Sequence, residues 1–189
     1  MAPYGRALTL VAHLGIPQLI AAEEWPDDHP FVVLSPQYGL EPAAGPCDVA
    51  TDVASFLDFA IDHYQVDADR VYLTGISCGA IGVWDYLAAH GDEVVGAAVP
   101  ISGHAEWALE NAGCEPLGKK PVWAFHGALD ETVPMIHIQE PMDEIRACDE
   151  SGVMELTVYP DADHDAWSRT YDLSAGYDIY AWMLTHTRD

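Results

Sequence analysis

The stretch Val71-Tyr72-Leu73-Thr74-Gly75-Ile76-Ser77-Cys78-Gly79 decides how the chain is read: a short apolar run ends in Gly-x-Ser-x-Gly and leads directly into a helical pattern over 79–90. This is the sequence form of a nucleophile elbow, a strained strand-to-helix turn that presents Ser77 while small neighbours let the backbones pass closely. A pattern this short also arises by chance, and its bland reading is a tight turn without reactivity. Its placement between strand and helix gives it weight.

Outward from the elbow the same alternation continues. Upstream, Phe31-Val32-Val33-Leu34 reads as a buried strand ending at Ser35-Pro36, and residues 39–47 read as loop. Val49, Val53, Phe56, Leu57, Ala60, Ile61 and Tyr64 recur at helical spacing, with Asp48 placed to cap the first turn. Downstream, 94–99, 121–125 and 155–159 read as strands, with a polar insertion before the second of them. Met135 to Cys148 is mostly helical with a restart at Pro141, and Ser174 to Thr185 is the last helix. Strands alternating with helices predict an α/β fold, a mainly parallel, doubly wound sheet covered on both faces.

The 189 residues suit one domain, read as 1–189, and 50% hydrophobic residues with 6 Trp and 9 Tyr exclude a disordered chain. Acidic residues number 31 against 7 Lys plus Arg, a formal charge of -24. Phosphate backbones and anionic lipid would be repelled, so neither nucleic acid nor a membrane surface is an expected partner. The same acidity fits adaptation to high salt as well as it fits a plainly acidic protein. Cys47, Cys78, Cys114 and Cys148 show no CxxC or CxxH, which argues against a zinc site and leaves disulfides and redox compartment open. Ala7 to Ile20 is the one targeting-like segment, and His13, Gly15 and Pro17 interrupt it well short of the ~20 residues that span a bilayer. The expectation is a soluble protein without a clear signal peptide, the cytoplasm being the favoured compartment.

A serine hydroxyl needs a base within hydrogen-bond reach, and the base needs an orienting acid. Asp130 lies in the segment His126 to Pro134 after strand 121–125, and His164 lies in Tyr159 to Trp167 after strand 155–159. Open α/β sheets gather functional groups at such strand ends, and Ser, Asp, His is the chain order of hydrolases built on them. Competing readings are Asp130 as a cap with Glu131 as the acid, and His164 as a solvated loop residue. His126 reads as packed core rather than base, and Trp84 as core. His104, Trp107 and Trp167 are candidate substrate-binding residues, with a surface loop the equal reading for the first two. No cofactor and no metal is called for.

Phe31 to Gln37, Asp69 to Trp84, His126 to Pro134 and Thr157 to Trp167 together resemble the α/β-hydrolase superfamily, within it the small esterase and depolymerase-like branch of phospholipase/carboxylesterase type. The similarity runs from about residue 13 to the C-terminus. It implies a minimal sheet without a cap domain, Ser77 as nucleophile, His164 as general base, Asp130 as orienting acid and the Cys78 backbone amide as an oxyanion-hole donor. It also implies a serine carboxylesterase acting on small-molecule esters through an acyl-enzyme, with peptidase or thioesterase chemistry on the same triad as an alternative.

The chain departs from that family at its N-terminal side. The family carries a strand ending in a His-Gly-rich loop that supplies a second oxyanion amide. Here either Leu8 to Ala12 is that strand with His13-Leu14-Gly15 as a shortened loop, or residues 5–22 match the following helix and the strand is absent. The run Gly15 to Ile20 favours the second, so the N-terminal strands are expected to be reduced or missing. An exposed sheet edge favours pairing with another chain, which makes a homodimer through that edge the expected assembly. The rival reading is accordingly a non-catalytic, truncated hydrolase fold that binds a ligand or partner there. Smaller departures are Ala80, where the family often has Gly, and Asp163, where Gly commonly precedes the histidine.

Overall fold

The computed structural model describes residues 12–36, 47, 50–91, 95–148 and 151–188. In chain order the elements are α1 (Gly15–Ala21), α2 (Ala50–His63), β1 (Tyr72–Ile76), α3 (Cys78–His90), β2 (Ala97–Ile101), α4 (Glu106–Ala112), α5 (Cys114–Leu117), β3 (Val122–Gly127), α6 (Ile136–Arg146), β4 (Met154–Tyr159), α7 (Trp167–Tyr171) and α8 (Ile179–Leu184). The strands lie in the order β1-β2-β3-β4, every neighbouring pair parallel. A parallel neighbour is reached only by crossing over the sheet, and α3, α4 with α5, and α6 make the three crossovers.

Period-two alternation along the strands splits the core into two layers. Leu73, Ala98, Val122, Ala124, Met154 and Leu156 face the crossover helices, where Trp84, Leu87, Leu117, Ile138, Met142 and Ile145 are buried. Tyr72, Val99, Ile101, Phe125 and Tyr159 face the other way, onto Ile16 of α1, Trp167 and Tyr171 of α7, and Ile179, Tyr180 and Met183 of α8. Each large apolar side chain fully removed from water contributes roughly 1.5–3 kcal/mol, so these two layers supply the main drive to fold. Among the described residues there is no cap domain, and no helix is long and apolar enough to cross a membrane.

The expected strand at Phe31 to Leu34 does not form a ladder. Residues 31–36 join no strand, although Phe31 and Val33 turn onto the α7/α8 layer while Val32 is exposed. An apolar run encodes the alternation, but a ladder also requires a partner strand, and β1 has β2 as its single neighbour among the described residues. The expected strand 94–99 begins later, at Ala97, and runs on to Ile101. The insertion before β3 holds two helices, α4 and α5, and a further helix, α7, follows the His164 loop. The last helix is shorter than expected because Gly176 takes φ 82 and Asp178 caps α8 by accepting from the Ala181 amide. Gly15 to Ile20 is helical. Leu8 to Val11, most of the loop 39–47, Asp48, Val49 and Val94 lie outside the described residues.

Candidate active site

Ser77 sits between β1 and α3 with φ 52 and ψ -120, a left-handed conformation that a non-glycine residue adopts only when its surroundings impose it. The imposing contact is the return of the chain over Gly75, where a Cβ would overlap the carbonyl of Gly79. Gly79, the other glycine of the motif, has open space where its Cβ would stand. The close pass beyond the elbow is made instead by Gly103, whose Cβ would strike the Ala80 side chain. Alanine at position 80 is thus accommodated by a glycine at the end of the neighbouring strand.

Asp130 and His164 follow β3 and β4, whose ladder runs from Val122↔Met154 to Gly127↔Tyr159. At the end of β3, Gly127 lets the two loops touch, since any Cβ there would overlap the carbonyl oxygens of Asp163 and Ala162. The Asp130 side chain is fully buried. Its Oδ1 accepts from the amides of Thr132 at 2.8 Å and Val133 at 2.9 Å, and its Oδ2 accepts from His164 Nδ1 at 2.8 Å. Because a carboxylate only accepts, His164 carries its proton on Nδ1, which leaves Nε2 free to accept from Ser77 Oγ at 3.0 Å. The structure therefore brings Ser77, His164 and Asp130 into one hydrogen-bonded relay at the carboxyl ends of the sheet, an arrangement able to draw a proton from a serine hydroxyl.

Other sequence-predicted positions fall differently. The Cys78 amide opens α3, and its side chain is cross-linked to Cys47, while Cys114 pairs with Cys148. Trp167 is 9% exposed and packs edge-on against the His164 ring at 5.3 Å. His104 follows β2, is buried, and contacts Trp107 edge-on at 4.3 Å; burial pushes its pKa down, Glu106 opposing and His137 adding to the shift. Trp107 lines an open concavity of about 450 Å³ with Asp85, Ala88, Ala89, Ala108, Asn111 and Ala112. Those α3 residues stand eight to twelve positions beyond Ser77, roughly 12–18 Å along the helix, so this concavity does not meet the relay. Glu131, the alternative acid, is exposed. The reading of His126 as buried core holds, but sequence alone missed that its Nε2 lies 3.3 Å from Asp130 Oδ2. Among the described residues no cluster of His, Cys, Asp and Glu is arranged to hold a metal.

The model of the dienelactone hydrolase family matches residues 44–186. A search of curated proteins finds no match. Among solved structures, a thermostable esterase is 20% identical with a TM-score of 0.57, over 73% of this chain and 36% of that one. SOBER1 of Arabidopsis thaliana is 19% identical with a TM-score of 0.55, over 72% of this chain and 61% of that one. An acylaminoacyl peptidase, solved with a peptidyl chloromethyl ketone, is 15% identical with a TM-score of 0.53, over 72% of this chain and 27% of that one. The chain thus spans less than two thirds of each, and at these identities the likeness is one of fold, that of the α/β-hydrolases. With the family match covering well over half of its residues, the chain belongs to the dienelactone hydrolase family.

Proposed function

We propose that the chain is a serine carboxylesterase that cleaves small carboxylic esters through an acyl-enzyme. The observation that carries the reading is the relay in which Asp130 Oδ2 holds His164 Nδ1 and His164 Nε2 meets Ser77 Oγ. Ser77 Oγ attacks the ester carbonyl carbon as His164 takes its proton, and the tetrahedral adduct collapses by expelling the alcohol, which receives that proton. Water then repeats the sequence on the acyl-enzyme and frees the acid and Ser77. Asp130 keeps the proton on Nδ1 and balances the imidazolium. The Cys78 amide, at the positive end of the α3 dipole, donates to the oxyanion. The His164 side chain is 23% exposed while Asp130 is sealed, which leaves the Ser77 side of the relay open to a small ester.

Hydrolysis of p-nitrophenyl acetate and butyrate by the wild type and by Ser77→Ala, from low to molar salt, tests the reading. Ser77→Ala should lower kcat by on the order of 10⁴-fold or more, and equal rates in the two proteins would remove the proposal. The likeness to an acylaminoacyl peptidase favours a second reading, amide cleavage by the same triad. Preference for an N-acyl peptide anilide over the esters would select it.

A further inference from the structure

His126, in β3, is fully buried and takes no part in the chemistry above. Its Nε2 lies 2.8 Å from the Val133 carbonyl oxygen and 3.3 Å from Asp130 Oδ2. Both neighbours only accept, so Nε2 carries the proton and donates it to the Val133 carbonyl, which places the polar N–H 3.3 Å from Asp130 Oδ2. Nδ1 is then a bare lone pair, buried and without a hydrogen-bond partner among the described residues. An orphaned ring nitrogen in a core is destabilising, and an apolar side chain of similar size would avoid it. Burial is the main force that holds the ring below the usual histidine range; the Val133 hydrogen bond and the Asp130 charge oppose it and His164 reinforces it, so the imidazole is neutral.

We propose that His126 is a positioning residue for the Asp130 carboxylate, its Nε2–H fixing Oδ2 against His164; the inference rests on the esterase reading above. The backbone alone pins only one oxygen, since the amides of Thr132 and Val133 both bond Oδ1. With Oδ1 as the sole anchor the carboxylate swings about its own axis and carries Oδ2 off the His164 Nδ1 line. The positive end of the Nε2–H dipole, 3.3 Å from Oδ2, opposes that swing. The same ring holds the Val133 carbonyl, tying the far side of the Asp130 loop back to β3. A neutral donor suits the task because a cation at this depth would compete with His164 for the carboxylate's charge.

The test is Ser77-dependent hydrolysis of p-nitrophenyl butyrate by the full chain and by His126→Leu, His126→Gln and His126→Asn, with thermal melting of each. Leu removes the donor and the orphaned nitrogen together; Gln places an amide N–H near the position of Nε2, and the shorter Asn does not. Leu and Asn should lower kcat about 10-fold to 100-fold with KM within about twofold, while Gln stays within about threefold of wild type, the size expected for one hydrogen bond to a charged group. A wild-type kcat in His126→Leu, a Gln variant no better than Asn, or a loss confined to KM would overturn the proposal. Where Leu fails to fold, Gln against Asn decides. Absence of Ser77-dependent hydrolysis in the wild type sinks the esterase reading itself, and this inference with it. Wild-type activity with indifferent His126 variants sinks this inference alone.

Discussion

The two ends of the relay are held by different means. His164 and Asp130 stand on loops after adjacent strands in full register, and the carboxylate accepts from two amides and from His164, with His126 Nε2 3.3 Å from its Oδ2. Ser77 follows β1, which has one neighbouring strand among the described residues. On that side the Tyr171 hydroxyl donates to Thr74 Oγ1, which donates to the Val99 carbonyl, and the Cys47–Cys78 disulfide ties down the residue after Ser77. Close packing of two loops around a buried carboxylate holds Asp130 and His164; a side-chain chain and a covalent cross-link hold Ser77. β1 and β4 each have one neighbouring strand among the described residues, so the difference lies in the ties: Asp130 and His164 are held by two loops in contact with each other, Ser77 by contacts brought from elsewhere in the chain.

Glycine substitutions strain this comparison most. In Gly127→Ala the new methyl collides with the backbone of Ala162 and Asp163 and displaces the His164 loop. Activity should fall on the order of 10²-fold, as expected for a displacement near 1 Å at a reacting group, with a stability loss of about 1–3 kcal/mol. Gly75→Ala should do the same to the elbow. Gly79→Ala, which meets open space at a helical position, should leave stability within about 0.5 kcal/mol of wild type or improve it. Melting curves and p-nitrophenyl butyrate rates for the three variants check this. Equal damage at positions 75 and 79 would show the elbow to be crowded on both sides.

The parts of this site that were legible in the sequence are those encoded by local pattern. Ser77 is announced by glycines within two residues of it, and Asp130 and His164 by their places just after apolar runs, so the relay could be assembled on paper from strand ends. The helices α4 and α5 stayed hidden because each is short and flanked by Gly113 or Gly118, leaving no sustained period to read. Phe31 to Leu34 has a strand's composition, yet its ladder depends on a partner strand that composition cannot guarantee. Cysteine pairing was illegible because four cysteines allow three connectivities. The contact of His126 with Asp130 crosses a turn held by backbone hydrogen bonds to Gly127, Tyr159 and Ala162, partners distant or invisible in the local pattern, and nothing in the spacing distinguishes it from ordinary core.

Removing the cross-links gives a smaller effect on rate and isolates the edge. The two disulfides span separations of 31 and 34 residues, so a chain-entropy treatment assigns each about 3–4 kcal/mol of stability. Their places differ: Cys78 adjoins Ser77, whereas Cys114 and Cys148 stand at the start of α5 and just beyond α6. Cys47→Ala, which keeps Cys78 and its amide, should lower kcat several-fold, while Cys114→Ala with Cys148→Ala should lower stability by a similar amount and leave kcat unchanged. Urea unfolding and ester hydrolysis of both variants supply the two readouts. A matching loss of kcat in both would mean that the edge tie has no special bearing on the nucleophile.

The gentlest probe is pH. Burial lowers the folded-state pKa of His126 at the acid–base end and of His186 beside the nucleophile strand, where Tyr72 donates to the His186 carbonyl. A depressed histidine is neutral in both states above its ordinary value of 6.5, and its contribution to stability is then complete. As pH falls below that value the unfolded chain binds protons that the folded chain refuses, and stability declines until the folded-state pKa is passed. Each group contributes a slope of at most about 1.4 kcal/mol per pH unit. Unfolding free energies at pH 7, 6 and 5 should therefore decline in the wild type before most carboxylates titrate, and His126→Leu should flatten the slope more than His186→Leu, because His126 is completely buried and His186 is half open. An undiminished slope in His126→Leu would mean that the ring beside Asp130 is charged in the fold, and the acid end would then be held by an ion pair instead of a neutral donor.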